Sequence, residues 1–460
     1  MRDLLTAFEA RATAPSTAVE ACLAALDRTD PATGAVVMLT DDRARERAAE
    51  SDRRWRDGTP RALEGVPFGV KDVIATQGVR TTGNSQLYAD WVPERSATVV
   101  ERLEAAGAVL VAKLQTFTLA LGGVTNAFGT TRNPWDLGRT TGGTSSGSAA
   151  AVAARALPFT LGTDTGGSLR IPAAYCGVSA LKPTYGRVPR TGVMPLSWTL
   201  DHVGPIARSA DDLGLVLGVI EGADPRDPSS VDARRAPTAY DGLDRADLRG
   251  TRIGVPEEWF GDRSHADVLT VTATTLEVMA GLGTEIVPVR LPHAYLAEAV
   301  YWPIVLTEGA SLHEQHLERL RADDPVLVDR LAEGLDVRAV DYARALRLRH
   351  LLQLDYEQAF RSVDVIVVPA SSVVAPRLDD LTCEVAGERL PWIDVVSHMT
   401  CPFNVTGLPS LVVPAGLSAS GLPIGVQVVG RPFAEATCLR VGRAWQAATG
   451  HHRLAPLLAD

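Results

Sequence analysis

Lysine is nearly absent from this sequence of 460 residues. Arginine accounts for 42 of its 45 basic residues, and the three lysines are Lys71, Lys113 and Lys182. A buried lysine can titrate near neutral pH, whereas an arginine keeps its proton. Each of the three lysines is therefore a candidate for proton transfer, and Lys71 stands in an apolar segment, GVPFGVKD, that favours burial.

Other absences exclude whole classes of protein. No apolar run approaches the length of a membrane-spanning helix, and the first residues mix acids and arginines with apolar positions. We therefore expect a cytoplasmic protein. The five cysteines form no CxxC pair and the nine histidines form no ligand-spaced cluster beyond His313 with His316, so no disulfide framework and no metal site are predicted. The formal charge of −10, without a basic run, argues against nucleic acid or a membrane as the main partner.

Helix-like and strand-like segments alternate along the whole chain. Amphipathic spacing predicts helices near 17–27, 97–106, 266–281, 294–321, 338–360 and 434–449, and short apolar runs predict strands near 65–70, 108–112, 251–256, 284–289, 363–369, 410–415 and 424–429. No repeat of twenty to fifty residues interrupts this order. The pattern predicts a single large α/β domain, in which helices cover both faces of a mixed, mostly parallel twisted sheet.

The stretch TTGGTSSGS, residues 140–148, holds six hydroxyls and three glycines. A phosphate loop would need a Gly-Lys-Ser/Thr that is missing here, and a flexible linker would not stand between apolar elements. Gly143 to Gly147 match the G-x-S-x-G of a nucleophile elbow, but NPWDLGRTT precedes them where a buried strand is required. We therefore favour the interpretation that this stretch contributes to a catalytic site of another type.

Five separated blocks together carry a more specific signal. They are GVPFGVKD at 65–72, NPWD at 133–136, TTGGTSSGS, GTDTGGSLRIP at 162–172, and CPFNVTGLPSLVVPAG with GLPIGVQVVG at 401–430. In this combination the chain resembles the amidase signature family over nearly its whole length, 1–460. The resemblance implies an N-terminal helical segment at 1–60, a catalytic core at 61–210 and a variable helical substrate region at 290–360. It also places candidate pocket residues around Tyr301, Trp302, Glu308, His313 and His398.

The resemblance implies a triad of serine, serine and lysine that needs no metal or cofactor. Ser168 takes the position of the nucleophile and Lys71 that of the base. The relay serine of the family, held on a cis peptide bond, falls on Thr144, with Ser145 as the alternative if the loop register differs by one. A glycine-rich turn can point consecutive N–H groups at an oxyanion, so Thr165, Gly166, Gly167 and Ser168 are the expected donors. Asp164 and Arg170 are expected to pair beneath that turn.

One departure from the family pattern bears on function. Where the family usually reads Gly-Lys-Thr-Asn, this sequence has Leu114 and Gln115 after Lys113, and Thr118 takes the place of a common acid. We read this as weakening the resemblance to the glutaminase-like subunit of a transfer-RNA amidotransferase. The expectation is therefore a stand-alone amidase, either a single chain or a homodimer, that hydrolyses a small-molecule amide, carbamate or urea. The alternatives are an acyltransferase that passes the acyl group to an amine, and the glutaminase-like amidotransferase subunit.

Overall fold

The computed structural model describes residues 1–232, 248–261 and 263–459, and these form fourteen α-helices and seventeen β-strands. The helices are α1 Arg2–Glu9, α2 Pro15–Thr33, α3 Asp41–Arg56, α4 Thr98–Ala105, α5 Ser146–Ala153, α6 Arg170–Cys176, α7 Ala210–Ile220, α8 Ala266–Gly281, α9 Ala297–His313, α10 Leu317–Asp323, α11 Pro325–Asp336, α12 Ala339–Ala359, α13 Cys401–Val405 and α14 Glu435–Thr449. The strands are β1 Val36–Leu39, β2 Pro67–Lys71, β3 Val109–Leu114, β4 Thr125–Asn126, β5 Gly129–Thr130, β6 Arg132–Asn133, β7 Asp136–Thr140, β8 Phe159–Asp164, β9 Ser179–Lys182, β10 His202–Ala207, β11 Arg252–Pro256, β12 Glu285–Val289, β13 Val365–Pro369, β14 Thr382–Val385, β15 Glu388–Pro391, β16 Ser410–Leu417 and β17 Pro423–Gly430.

Eleven of these strands form one sheet in the order β1-β3-β2-β8-β10-β9-β16-β17-β13-β11-β12. Parallel pairs join β3 to β2, β2 to β8, β13 to β11 and β11 to β12. The other six pairs are antiparallel. The prediction of one α/β domain on a mixed sheet is confirmed. The apolar runs of the sequence did not indicate β9 and β10. Both strands form antiparallel pairs, so the fraction of parallel strand pairs in the sheet is smaller than predicted.

Helices cover both faces of the sheet, as predicted, and the alternation of side chains along each strand divides the core between them. On β16, Leu411 and Val413 pack into a cluster with apolar residues of α4, α7 and α14. Val412 points the other way, into a cluster with residues of α5 and α6. Strands that are apolar on both faces are typical of a sheet buried between two helical layers.

Residues 297–359 are almost entirely helical, in agreement with the helices predicted near 294–321 and 338–360. Apolar side chains of α9, α11 and α12 form a cluster of their own, which also contains Leu119, Leu121 and Leu196 from the first half of the chain. This helical region therefore packs beside one end of the sheet. Among the described residues, no helix has the length and apolar character that crossing a membrane would need.

Candidate active site

Two neighbouring parallel strands bring the predicted site residues together. Strand β2 ends at Lys71 and strand β8 ends at Asp164, with Val70 opposite Leu161 in the parallel register. The carboxyl ends of parallel strands lie at the same edge of a sheet. Lys71 therefore meets residues 165–168, here called the glycine turn, which follow β8 directly.

Lys71 is fully buried, and its ammonium nitrogen contacts two hydroxyls. Nζ lies 2.6 Å from Thr144 Oγ1 and 2.8 Å from Thr163 Oγ1. Burial lowers the pKa of Lys71 from 10.5 to about 7, against the opposing effect of the carboxylates of Asp164 and Asp201. A neutral amine has two N–H groups and one lone pair. With one N–H on Thr163, the lone pair is able to accept a proton from Thr144.

The structure distinguishes between the two candidates for the relay. The peptide bond between Gly143 and Thr144 is cis, and the Thr144 hydroxyl lies on Lys71. Ser145 is fully buried and has other partners: its N–H donates to the Ser168 carbonyl and its Oγ donates to the Thr163 carbonyl at 3.1 Å. The geometry therefore places Thr144, and not Ser145, at the relay position, with a threonine where the family has serine.

Ser168 ends the glycine turn and is partly exposed to an internal cavity that Thr144 also lines. The turn requires glycine at two positions because other side chains fill the space beside it. A Cβ on Gly166 would collide with the hydroxyl of Tyr301. Gly167 has a φ of +131°, and a Cβ there would collide with the side chain of Thr400. Packing from outside the motif thus fixes the shape of the turn.

One of the four expected oxyanion donors points away from the cavity. The N–H of Gly167 donates to Asp164 Oδ1 at 2.9 Å, so it is not available to a substrate. The N–H groups of Gly166 and Ser168 donate to no other group in the described part of the chain. Both residues line the cavity together with Thr165. The prediction that included Gly167 is corrected, because a local acceptor takes its hydrogen bond.

Asp164 and Arg170 form a fully buried, bidentate ion pair beneath the turn. Arg170 Nε lies 3.0 Å from Asp164 Oδ2, and Arg170 Nη2 lies 2.9 Å from Asp164 Oδ1. Arg170 also donates to Gln427 and Asn404, and the guanidinium holds the pKa of Asp164 well below its usual range. Since Asp164 in turn accepts from Gly167, the ion pair is anchored directly to the turn.

The cavity beside Ser168, here called the inner cavity, has a volume of about 260 Å³. Its walls are mainly apolar and aromatic, with Phe117, Ile171, Tyr301, Trp302, Trp392 and Val396 among the lining residues. Arg330 is the one charged residue among the described residues that line it. Tyr301 and Trp302 are thus where the resemblance placed them, whereas Glu308, His313 and His398 do not line this cavity.

Arg330 is not among the residues predicted from the sequence, although the sequence contains a signal for it. It lies on α11 beside the buried residues Leu327 and Leu331, so a charged residue stands on the apolar face of an amphipathic helix. Burial lowers its pKa, and its guanidinium donates to the Leu121 carbonyl. Within the described residues no carboxylate lies within salt-bridge distance of it, although the charges of Asp324 and Glu333 partly oppose the effect of burial on its pKa. An arginine that faces an apolar cavity and has no carboxylate in direct contact is suited to bind an anionic group.

The other two lysines are also fully buried, but they support the scaffold. Lys113 pairs with Asp72 at 3.2 Å, and Lys182 donates to the Leu408 carbonyl at 2.6 Å. The three residues that depart from the family pattern, Leu114, Gln115 and Thr118, are buried as well, and none of them lines the inner cavity. They belong to the buried core near β3.

Comparison with known proteins points to one family. The model of the amidase family matches residues 17–439. The chain is 42% identical over 472 aligned positions to the A subunit of glutamyl-tRNA(Gln) amidotransferase from Chloroflexus aurantiacus (strain ATCC 29366 / DSM 635 / J-10-fl), covering 95% of this chain and 94% of that protein. The solved structure of the corresponding protein from Thermotoga maritima has a TM-score of 0.79 at 29% identity and covers 94% of this chain and 91% of that one. A structure described as a vestigial protein complex that reveals the origins of an s-triazine catabolic enzyme has a TM-score of 0.92 at 33% identity, with 97% and 98% covered.

These relatives contradict the expectation of a stand-alone amidase that acts on a small-molecule amide. They also contradict the expected partners, which were a small-molecule substrate and at most a second copy of this chain, without nucleic acid. The Chloroflexus and Thermotoga proteins are parts of an amidotransferase whose name includes a transfer RNA. The prediction of a stand-alone amidase is wrong because it took Leu114, Gln115 and Thr118 as evidence against an amidotransferase subunit. Because these residues lie in the core and away from the inner cavity, they do not distinguish the two functions.

Proposed function

Because this chain belongs to the amidase family, we propose that it is the ammonia-releasing subunit of an amidotransferase. It cleaves the side-chain amide of a carboxylate-bearing donor such as glutamine, and partner subunits use the ammonia to amidate an acceptor. The observation that carries the proposal is the 42% identity to the Chloroflexus amidotransferase protein over 95% of the chain. The geometry of the site supports the following sequence of reaction steps.

The first step forms an acyl-enzyme. Ser168 Oγ attacks the amide carbonyl, its proton passes to Thr144 Oγ1, and the Thr144 proton passes to the lone pair of Lys71 Nζ, 2.6 Å away. A pKa of about 7 leaves Lys71 neutral often enough to accept this proton. The same chain returns the proton to the leaving nitrogen, so ammonia departs and the acyl group remains on Ser168. Water then attacks the ester by the reverse transfer and releases the acid.

The N–H groups of Gly166 and Ser168 stabilise the negative charge that develops on the carbonyl oxygen. They belong to a turn whose shape is fixed by Tyr301 and Thr400, so little reorganisation is needed when the charge forms. The apolar walls of the inner cavity keep competing water away and strengthen these hydrogen bonds.

The single charge in the inner cavity supports the choice of amide donor. A glutamine whose side-chain amide reaches Ser168 would carry its α-carboxylate a few bonds away, within a cavity of about 260 Å³. Arg330 has N–H groups left over from its bond to the Leu121 carbonyl. A buried guanidinium binds a carboxylate with a charge-assisted, often bidentate, hydrogen bond.

The test follows the amide nitrogen. A complex isolated through an affinity tag on this chain, in the cells that make it, is given glutamine labelled with ¹⁵N in the side-chain amide. We expect labelled ammonia from wild type, and label in the aminoacyl-tRNA acceptor when acceptor and ATP are supplied. Ser168→Ala should abolish both signals while the complex still assembles.

Two outcomes would overturn the proposal. One is a complex that releases no ammonia from glutamine, and the other is an acceptor that never gains the label although glutamine is hydrolysed. Ser146→Ala is the matched control, because this serine begins α5 close to the relay yet does not line the inner cavity. It should release ammonia at the wild-type rate.

A further inference from the structure

A second cavity of about 460 Å³ lies on the other side of the glycine turn. Ala120, Thr165 and Leu196 line both cavities, so they form the partition between them. Polar residues contribute to the second cavity, and its lining includes Asp201 and also Thr163, which is one of the two hydroxyl partners of Lys71. Thr165 is the residue of the glycine turn that lines this cavity.

Asp201 holds two segments of chain at once. Its Oδ1 accepts from Thr165 Oγ1 at 2.6 Å. Its Oδ2 accepts from the N–H groups of Leu196 and Ser197, both at 2.9 Å. One carboxylate therefore ties the beginning of the glycine turn to the 196–201 loop. We propose that Asp201 is the positioning residue of the oxyanion site, acting through Thr165; this inference rests on the proposed function, in which the turn binds the oxyanion.

The 196–201 loop is a firm support because it is anchored on its other side. Glu308 of α9 is buried and accepts from Thr199 Oγ1 at 2.8 Å, and it also accepts from Ser197 Oγ. Tyr342 of α12 donates to the same carboxylate at 2.9 Å. Asp201 thus links the turn to a loop that two helices hold in place.

The other side-chain contacts of the glycine turn lie beyond its first residue, Thr165, whose side chain is held by Asp201. Thr400 Oγ1 donates to the Gly166 carbonyl at 2.5 Å, and Asp164 accepts from Gly167. Both of these contacts come after Thr165 in the chain. Without the bond from Thr165 to Asp201, the peptide between Thr165 and Gly166 loses its anchor on the Thr165 side, while Tyr301 and Thr400 still pack against the glycines that follow. That peptide carries the Gly166 N–H, one of the two expected oxyanion donors.

Loss of this bond should affect the transition state and leave substrate binding nearly unchanged, because the oxyanion forms only during reaction. Thr165→Val removes the hydroxyl at almost constant volume, and we expect kcat for ammonia release to fall by about tenfold to a hundredfold. KM should stay within about twofold. Thr165→Ser restores the hydroxyl and should restore most of kcat.

A double-mutant cycle tests the contact itself. Asp201→Ala should lower kcat at least as much as Thr165→Val, and the double variant should be no slower than Asp201→Ala alone, since both changes remove one bond. Asp227→Ala is the matched control: this carboxylate lines the same cavity but accepts from Ser229 and Arg190, away from the turn. Combined with Thr165→Val it should give independent, multiplicative effects.

A pH profile adds a readout that a merely structural role would not move. The carboxylates that face Lys71 are Asp164, which is paired with Arg170, and Asp201, which is faced by Arg190. Asp201→Asn removes one negative charge, so Lys71 loses its proton more easily and the acid limb of kcat should move to lower pH. Asp227→Asn should leave the limb in place.

Two results would overturn the inference: a Thr165→Val variant with wild-type kcat, or an acid limb that Asp201→Asn does not move. If Asp201→Ala fails to fold, Thr165→Val and Thr165→Ser still decide the matter, because they leave the bonds from Asp201 to the 196–201 loop intact. Failure of the proposed function is recognised separately, since it would leave wild type itself, like Ser168→Ala, without glutamine hydrolysis.

Discussion

The Nζ of Lys71 lies 2.6 Å from the Oγ1 of Thr144, in a site where Lys71 has no exposure to solvent. The lysine comes from the end of strand β2 and the threonine from the loop before helix α5, 73 residues away. Their contact is the one that the proposed relay through a threonine requires. Thr144, Phe117 and Ile171 all line the inner cavity.

Exchanges at Thr144 should separate the hydroxyl from the methyl group. Thr144→Ser keeps the hydroxyl and should retain activity within about threefold, whereas Thr144→Val keeps the shape and should lose at least about a hundredfold in kcat, the usual value of a proton-transfer group. Steady-state release of ammonia from glutamine measures both. Ser145→Ala should have a much smaller effect than Thr144→Val. The reverse order would assign the relay to Ser145.

The pH dependence of the reaction should report the proton on Lys71. Burial lowers the pKa of this lysine to about 7, and only the neutral form accepts a proton. The value of kcat/KM should therefore be low below about pH 6, rise through pH 7 and reach a plateau above about pH 8. Lys71→Arg stays charged at every pH and should be inactive throughout. A flat profile in wild type between about pH 5.5 and 8.5 would contradict the assignment of Lys71 as base.

The same shift in pKa makes folding depend on pH. An unfolded lysine binds its proton up to about pH 10.5 and the folded one only up to about pH 7, so the unfolded state holds the extra proton between these values. Lys71 is therefore expected to make the free energy of unfolding decrease as the pH falls from 10.5 towards 7, because protons favour the unfolded state in this window. Lys71→Met should remove this contribution to the slope, as chemical denaturation of both proteins at about pH 7 and pH 9 would show.

Arg330 should determine which amides are accepted. Arg330→Leu removes the charge that faces the inner cavity, and KM for glutamine should rise by about tenfold to a hundredfold, in line with the roughly 1.5–3 kcal/mol of a hydrogen bond to a charged group. Butyramide has the amide but no carboxylate, so its kcat/KM should change little. Arg321→Leu, at an exposed position on the neighbouring helix α10, serves as the control. Equal losses for both amides in Arg330→Leu would show that the arginine only supports the fold.

Much of this molecule could be predicted from local patterns. The alternation of helices and strands, the family, and the place of Lys71 and Thr144 in one site all rest on short segments and their motifs. The arrangement of the sheet was harder, because β9 has only four residues, β10 contains Gly204 and Pro205, and the antiparallel pairing of both depends on partners in other segments. The prediction for Gly167 is wrong for a related reason, since its hydrogen bond is set by where the carboxylate of Asp164 points.

The inner cavity could not be predicted from the sequence. Phe117, Tyr301, Arg330 and Trp392 come from four distant segments, and only the packing of the helical region against the core brings them to Ser168. The prediction of function is wrong for the same reason. Leu114, Gln115 and Thr118 differ from the family pattern, and from the sequence alone a change in the buried core could not be told from a change in the site.

The ion pair of Asp164 and Arg170 should be among the most costly contacts to break. Both side chains are fully buried, so removal of one leaves the other charged and without a partner, a change that typically costs about 3–5 kcal/mol. Arg170→Met should lower the free energy of unfolding by about that amount at neutral pH, measured by urea denaturation.

The ion pair of Asp164 and Arg170 holds the pKa of Asp164 below its unfolded value of 3.8, so the contribution of the pair to stability is complete above that value and is lost only as the pH falls below it. Arg377→Met breaks an exposed pair with Asp379 and should leave the unfolding midpoint unchanged; an equal loss in both variants would mean that burial adds nothing to the pair.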